Sequence, residues 1–243
     1  MCSSDLAYAP VWKTTSGLKK QVQARLLKIN KHLSTYNDNS EISKFNRLNS
    51  TDFVIISSDF YKVLDKANAI YKTTNGALDC SIKPLIKLWG FYGPENEYKV
   101  PSRKKIRQTL RQTGFNKLSF LPTNQVKKKI GNLEVDLSAS AKGYAVDQLA
   151  TVVRDYGSKQ FLVEIGGELY TEGEHPKNKY WRIGINVPSQ AAKKDDIYDI
   201  LKLNNKAVAT SGDYRKYFEQ KQKHYQHILN PKTDRKSTRL NSS

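Results

Sequence analysis

Apolar residues recur along the first part of the chain with a helical period. Leu18, Val22, Leu26, Ile29 and Leu33 predict an amphipathic helix from Gly17 to Leu33 with a lysine-rich outer face. Asn37 to Ser40 then read as a turn followed by the cap of a short second helix. Val54 to Ile56 suit a short strand, and Ser58 a cap for a helix whose inward face is Phe60, Val63, Leu64, Ala67, Ile70 and Tyr71. Asn75-Gly76 ends that helix. Pro101-Ser102 starts another, through Ile106 and Leu110, closed at Gly114.

The period changes further on. Leu118 to Phe120 and Gln125 to Ile130 read as strands, and Gly131-Asn132 turns the chain into a stretch where Leu133, Val135 and Leu137 alternate with Glu134, Asp136 and Ser138. That alternation predicts a half-buried strand. From Lys142 the period is helical again, with Ala145, Val146, Leu149, Ala150, Val153 and Tyr156 inward. Phe161 to Ile165 form a buried strand, and the stretches 181–187, 197–203, 207–211, 214–219 and 225–229 alternate as strands do. Helices come early and strands late. The pattern predicts an α+β fold, with helices of the first half packed on a mostly antiparallel sheet of the second half and a ligand cleft between them.

Composition narrows the picture only a little. The formal charge of +18 attracts anions, but scattered lysine supplies much of it, and no arginine-aromatic stripe or helix-turn-helix pattern accompanies it. No nucleic-acid partner is expected. Cys2 and Cys80 are too few for a disulfide framework or a metal cluster. There is no internal repeat and no stretch long enough to cross a bilayer. Residues 1–6 and 234–243 read as translated sequencing adapter in opposite orientations, which leaves residues 7–233 as the folding segment, incomplete at its C-terminal end.

Candidate chemistry gathers at the strand-to-helix junction. Ser138, Ser140, Lys142 and Gly143 bring hydroxyls, unpaired N–H groups and a positive charge to the positive end of a helix dipole. Such a junction is either a serine-capped helix or a phosphate site. Tyr36 beside a turn is a loop-packing tyrosine or a plate for a ligand ring. Asp79, a carboxylate among apolar residues, must be paired or serve a ligand. Glu164 and Glu168 flank Gly166-Gly167, where a backbone or a ligand can come close. Thr210 to Tyr214 form a tight turn with hydroxyls and a carboxylate, and His227 follows on a strand.

Five blocks in order resemble the ApbE family, the FAD:protein FMN transferases. They are LSTYNDNSEISKFN, GALDCSIKPLIKLWGF, VDLSASAKGYAVD, FLVEIGGELYTEG, and AVATSGDYRKYF continuing to HILNPKT, and they span nearly all of residues 33–233. The resemblance implies an ApbE-like fold and a magnesium-dependent transfer of FMN from FAD to a threonine hydroxyl, with release of AMP. Targets would be flavoprotein subunits of membrane redox pumps, of the Na+-translocating NADH:quinone oxidoreductase or Rnf type. Carried over by motif position, Tyr36 would lie against the flavin or adenine, and Ala77, Leu78 and Asp79 would line the dinucleotide pocket. Asp136 would hydrogen-bond the cofactor, Ser138, Lys142 and Gly143 would sit by its phosphates, and the carbonyl of Ala139 would face the metal. Glu164, Gly166 and Gly167 would form a wall, Ser211 and Asp213 would belong to the nucleotide site, and Leu229 would contact the ring system. His227 or Asp213 would take the threonine proton.

Two departures from the family pattern stand out. Asn230 occupies a place where the family commonly has aspartate, and the later segment that carries most of the family's magnesium ligands has no counterpart here. The chain as it stands is therefore expected to be poorly active. An FAD pyrophosphatase, with water as acceptor, and a non-catalytic flavin-binding protein are the alternatives. The resemblance also implies the periplasmic side of a bacterial inner membrane, with an N-terminal lipid tether.

Overall fold

The computed structural model describes residues 6–7, 15–92, 98–189, 193, 196–211, 217–220 and 223–232. In chain order its elements are β1 (Leu6–Ala7), α1 (Thr15–Leu33), α2 (Glu41–Arg47), β2 (Val54–Ile55), α3 (Ser58–Thr73), α4 (Lys83–Leu88), α5 (Arg103–Leu110), β3 (Leu118–Leu121) and β4 (Gln125–Lys128). There follow α6 (Ser138–Asp155), β5 (Phe161–Ile165), β6 (Glu168–Glu172), β7 (Trp181–Asn186), β8 (Ile197–Leu203), β9 (Ala207–Val208), β10 (Tyr217–Gln220) and β11 (Lys223–Gln226). The α+β class and the antiparallel pairing expected from the pattern hold among the described residues, with the strands distributed over four small sheets.

Serine hydroxyls set the starts of three early helices by accepting an otherwise orphaned N–H. Ser40 accepts from Ser43 at 3.2 Å for α2, Ser57 from Phe60 at 3.2 Å for α3, and Ser102 from Lys105 at 3.4 Å for α5. The cap of α3 is thus Ser57 and not Ser58. The reason lies in α2, where the Glu41 carboxylate accepts the Ser57 N–H at 2.7 Å and its hydroxyl as well, holding Ser57 in the extended conformation of a cap. Asn75 and Gly76 end the helical stretch in the left-handed region, with φ of 50° and 77°.

The chain divides into two compact units, residues 1–30 with 140–214 and residues 31–139 with 215–243. In the first, the sheet has the order β1-β5-β6-β9, and β7 and β8 form a separate ribbon. Leu162, Leu169, Trp181 and Leu203 make one buried apolar cluster there. Arg25 of α1 donates to Gln148 of α6 at 2.7 Å, and α6 buries Ala145, Val146, Leu149, Ala150 and Val153. In the second unit the sheet order is β2-β4-β3, with β10 and β11 as a ribbon. Its core includes Phe45 edge-on to Phe60 at 5.5 Å, and a cluster of Leu85, Trp89, Phe91 and Leu229.

The stretch Leu133 to Leu137 departs from expectation. Its burial alternates as predicted, with Leu133, Val135 and Leu137 fully buried, but among the described residues it pairs in no sheet. A side chain replaces the ladder. Asn46 Nδ2 donates to the Val135 carbonyl at 2.9 Å, the Val135 N–H donates back to Asn46 Oδ1 at 2.8 Å, and the Asp136 N–H donates to the Cys80 carbonyl at 2.7 Å. The helix that follows starts at Ser138, four residues before the predicted Lys142.

Candidate functional site

In the second unit the chemistry centres on Asp79, Cys80 and Asp136. Asp79 is buried and paired: its Oδ1 accepts the Ser81 N–H at 2.8 Å and hydroxyl at 2.6 Å, and its Oδ2 accepts the Phe115 N–H at 3.2 Å. Ser81 Oγ in turn accepts the Gly114 N–H at 2.6 Å. The carboxylate thereby fastens the loop after α3 to the turn before β3, so its burial needs no ligand to explain it. Ala77 beside it is exposed and Leu78 half-buried. Burial, together with the negative fields of Asp79 and Asp136, pushes the Cys80 thiol up to about 12.

Asp136 also corrects the reading of the junction. Its Oδ1 accepts the N–H of Ser138 at 2.8 Å, so an aspartate two residues upstream holds the first N–H of α6 and Ser138 is itself helical. Ser138 and Ala139 are exposed. Lys142 and Gly143 accordingly belong to the second turn of α6 and not to its mouth. Sequence reasoning missed Tyr92. Its hydroxyl donates to the Thr35 carbonyl at 2.7 Å, burial and the charge of Asp136 raise its pKa, and the ammonium of Lys83 lies 4.6 Å from its ring centre. Glu134 receives Lys87 at 2.7 Å and Lys83 at 3.8 Å. The only sequence signal for this group is the pair of lysines, Lys83 and Lys87, that bracket Pro84-Leu85-Ile86 in an otherwise apolar run.

Tyr36 is 85 % exposed. Leu229 is buried on Leu85, Trp89 and Phe91, and His227 stands edge-on to Phe91 at 6.4 Å.

In the first unit the structure brings Lys142, Glu164, Gly166, Gly167 and Glu168 together. The two glycines form the two-residue turn of the β5–β6 hairpin, with φ of 57° and 96°, and Ile165 pairs with Glu168 across it. Left-handed backbone at both positions is what such a turn demands and what glycine supplies. Glu164 Oε1 accepts the Gly167 N–H at 2.9 Å. Lys142 Nζ donates to the Gly166 carbonyl at 3.2 Å and pairs with Glu168 at 2.5 Å. A Cβ on Gly167 would stand 2.7 Å from the Thr210 hydroxyl, so the turn runs close under Thr210. Ser211 is exposed next to it, and Asp213 lies outside the described residues. Glu168, which the sequence marks only as flanking the glycines, is the residue that holds Lys142.

Among the described residues no group of three or more His, Cys, Asp or Glu side chains converges, and the Ala139 carbonyl is one neutral oxygen in the first turn of α6.

Comparison with known proteins gives these features a context. The ApbE family model matches residues 3–243. The FAD:protein FMN transferase of Haemophilus influenzae is 37 % identical over 226 residues, covering 90 % of this chain and 64 % of that protein. That of Escherichia coli K12 is 31 % identical over 227 residues, covering 92 % and 64 %. The chain thus spans 64 % of the length of these relatives. Among solved structures, flavin transferase ApbE from Vibrio cholerae superposes with a TM-score of 0.82 at 32 % identity over 97 % of this chain and 78 % of that one. The apo form of Pseudomonas stutzeri flavinyl transferase ApbE gives 0.83 at 31 %, over 96 % and 71 %. The chain belongs to the ApbE family.

Proposed function

We propose that this protein is an FAD:protein FMN transferase, which moves the FMN half of FAD onto a threonine hydroxyl of a flavoprotein. The observation that carries the reading is Lys142, an ammonium poised at a glycine turn by Glu168 and the Gly166 carbonyl, in a chain whose relatives bear that activity in their names. In the reaction the threonine oxygen attacks the phosphorus on the FMN side. A new O–P bond replaces the one to AMP, which leaves with the bridging oxygen, and the hydroxyl proton passes to a base. Lys142 supplies positive charge for the non-bridging oxygens of the diphosphate. Tyr36 and the Ala77 to Asp79 loop are offered as the surfaces that meet the rings, and His227 as the base.

A magnesium requirement belongs to the same reading. It is supported by family membership alone, since the described residues supply no ligand set for the ion. The targets we propose are flavoprotein subunits of Na+-translocating NADH:quinone oxidoreductase or Rnf type, met on the periplasmic side of the inner membrane. Incubation of the protein with FAD, magnesium and a threonine-bearing acceptor, followed by denaturing electrophoresis, tests the reading. Flavin fluorescence travelling with the denatured acceptor supports it. FMN and AMP released with no fluorescence on the acceptor would make the protein a pyrophosphatase instead.

A further inference from the structure

No Asp or Glu occurs between Tyr98 and Leu133, whereas Lys and Arg recur throughout that stretch. In α5 this bias becomes a surface. Ile106 and Leu110 turn inward onto the cluster of Leu85, Trp89, Phe91 and Leu229, which fixes the opposite side of the helix outward. Arg103, Lys104, Lys105, Arg107 and Arg111 are all exposed, Lys104 and Arg111 on the side away from Ile106 and Leu110 and Arg103 at the N-terminal end of the helix. None of these five side chains has an ion pair or hydrogen bond among the described residues. Arg103, Arg107 and Arg111 follow one another at helical spacing, and Lys104, Arg107, Gln108 and Arg111 border a shallow concavity of about 300 Å³. Three of the cations crowd the N-terminal end of α5, where the helix dipole disfavours positive charge and where the first turn carries no acid.

We propose that the outer face of α5 docks onto an anionic lipid bilayer. A row of like charges without aromatic anchors suits a laterally uniform negative plane better than a protein surface, whose recognition concentrates in buried aromatic and apolar contacts. It also lacks the stacking rings by which proteins hold single-stranded nucleic acid. Clusters of four to eight Lys or Arg on a helix bind anionic lipid with about fivefold in affinity for each cation near the surface. Val100, 41 % exposed just before α5, adds an apolar side chain at the same end. This docking stands independently of the transferase reading.

Vesicle co-sedimentation of the full chain tests it, using phosphatidylcholine with about 30 % phosphatidylglycerol against phosphatidylcholine alone, at about 50 and 300 mM salt. Binding is expected only to the anionic vesicles and to weaken at the higher salt. The triple variant R103Q/R107Q/R111Q should lose about 100-fold in affinity. The control K19Q/K20Q/K28Q, which removes the same charge from exposed positions of α1, should stay within about threefold of the parent. Equal losses in the two triples, equal binding to both kinds of vesicle, or absence of binding would overturn the proposal. So would a single-stranded RNA that occupies the α5 face more tightly than the vesicles do, which would assign the face to nucleic acid.

Discussion

Asn46 grips Val135 by both of its backbone groups, 89 residues away in the chain, with bonds of 2.9 and 2.8 Å inside the buried core of the second unit. This amide does the work of a neighbouring strand for the segment that presents Asp136 and starts α6. Replacing it by alanine leaves a buried N–H and a buried carbonyl without partners. We predict that Asn46→Ala destabilises the protein by about 3 kcal/mol in urea unfolding. A loss below about 0.5 kcal/mol would show that water or another group takes over both bonds.

Lys128 supports the same region from the other side. Its buried ammonium donates to the carbonyls of Asn46, Leu48 and Gly131 at 3.3, 2.7 and 3.1 Å, closing the end of α2. Burial pushes its pKa down from 10.5 to about 8, against the opposing pull of Glu134. Below about pH 8 the amine is protonated in folded and unfolded chains alike, and the cost of burying the charge is borne in full. Between about 8 and 10.5 the unfolded chain holds a proton that the folded chain has released, so stability rises with pH. The unfolding free energy of the parent relative to Lys128→Met should therefore climb across that window and level off above it. A flat difference would contradict the assignment.

Much of this architecture was legible as period and punctuation. The inward face of α3, the left-handed stop at Asn75-Gly76 and the alternating burial of Leu133, Val135 and Leu137 all follow from local pattern. What pattern does not contain is the remote partner. Alternation tells which residues are buried but not whether a strand or the side chain of Asn46 meets the backbone, so the pattern of an extended segment is the same as that of a strand. Asp79 illustrates the same limit, because its partners Ser81 and Phe115 come from two loops brought together only by folding. Lys142 was legible as a charge near a helix start, but Glu168 and the Gly166 carbonyl, which hold it, were not.

Cys80 is 4 % exposed, and its thiol is held up at about 12 by burial and by the two flanking carboxylates. Near neutral pH it is therefore neither accessible nor ionised. We predict that iodoacetamide leaves Cys80 unmodified in the folded protein and alkylates it once the chain is unfolded in guanidinium, as read by peptide mapping. Rapid alkylation of the folded chain at Cys80 would mean that the loop carrying it opens.

Lys142 connects the described geometry to the proposed chemistry. Replacing it by methionine keeps most of the apolar stem and removes the charge, while leaving the glycine hairpin and the Glu164 bond to Gly167 in place. Lys142→Met is predicted to weaken FAD binding by about 10- to 100-fold, the worth of one charge-assisted contact, and to lower thermal stability as well, because the Glu168 carboxylate, 12 % exposed, loses its partner. Quenching of flavin fluorescence on titration measures the first quantity and thermal unfolding the second. Unchanged affinity would remove Lys142 from the binding site.

Intact-mass and peptide mass spectrometry of an acceptor protein, after incubation with this protein, FAD and magnesium, tests the account at its centre. An acceptor that gains one FMN on threonine, with AMP appearing in equal amount, is the predicted result. An acceptor of unchanged mass, with FAD intact or merely cut to free FMN and AMP, would contradict it.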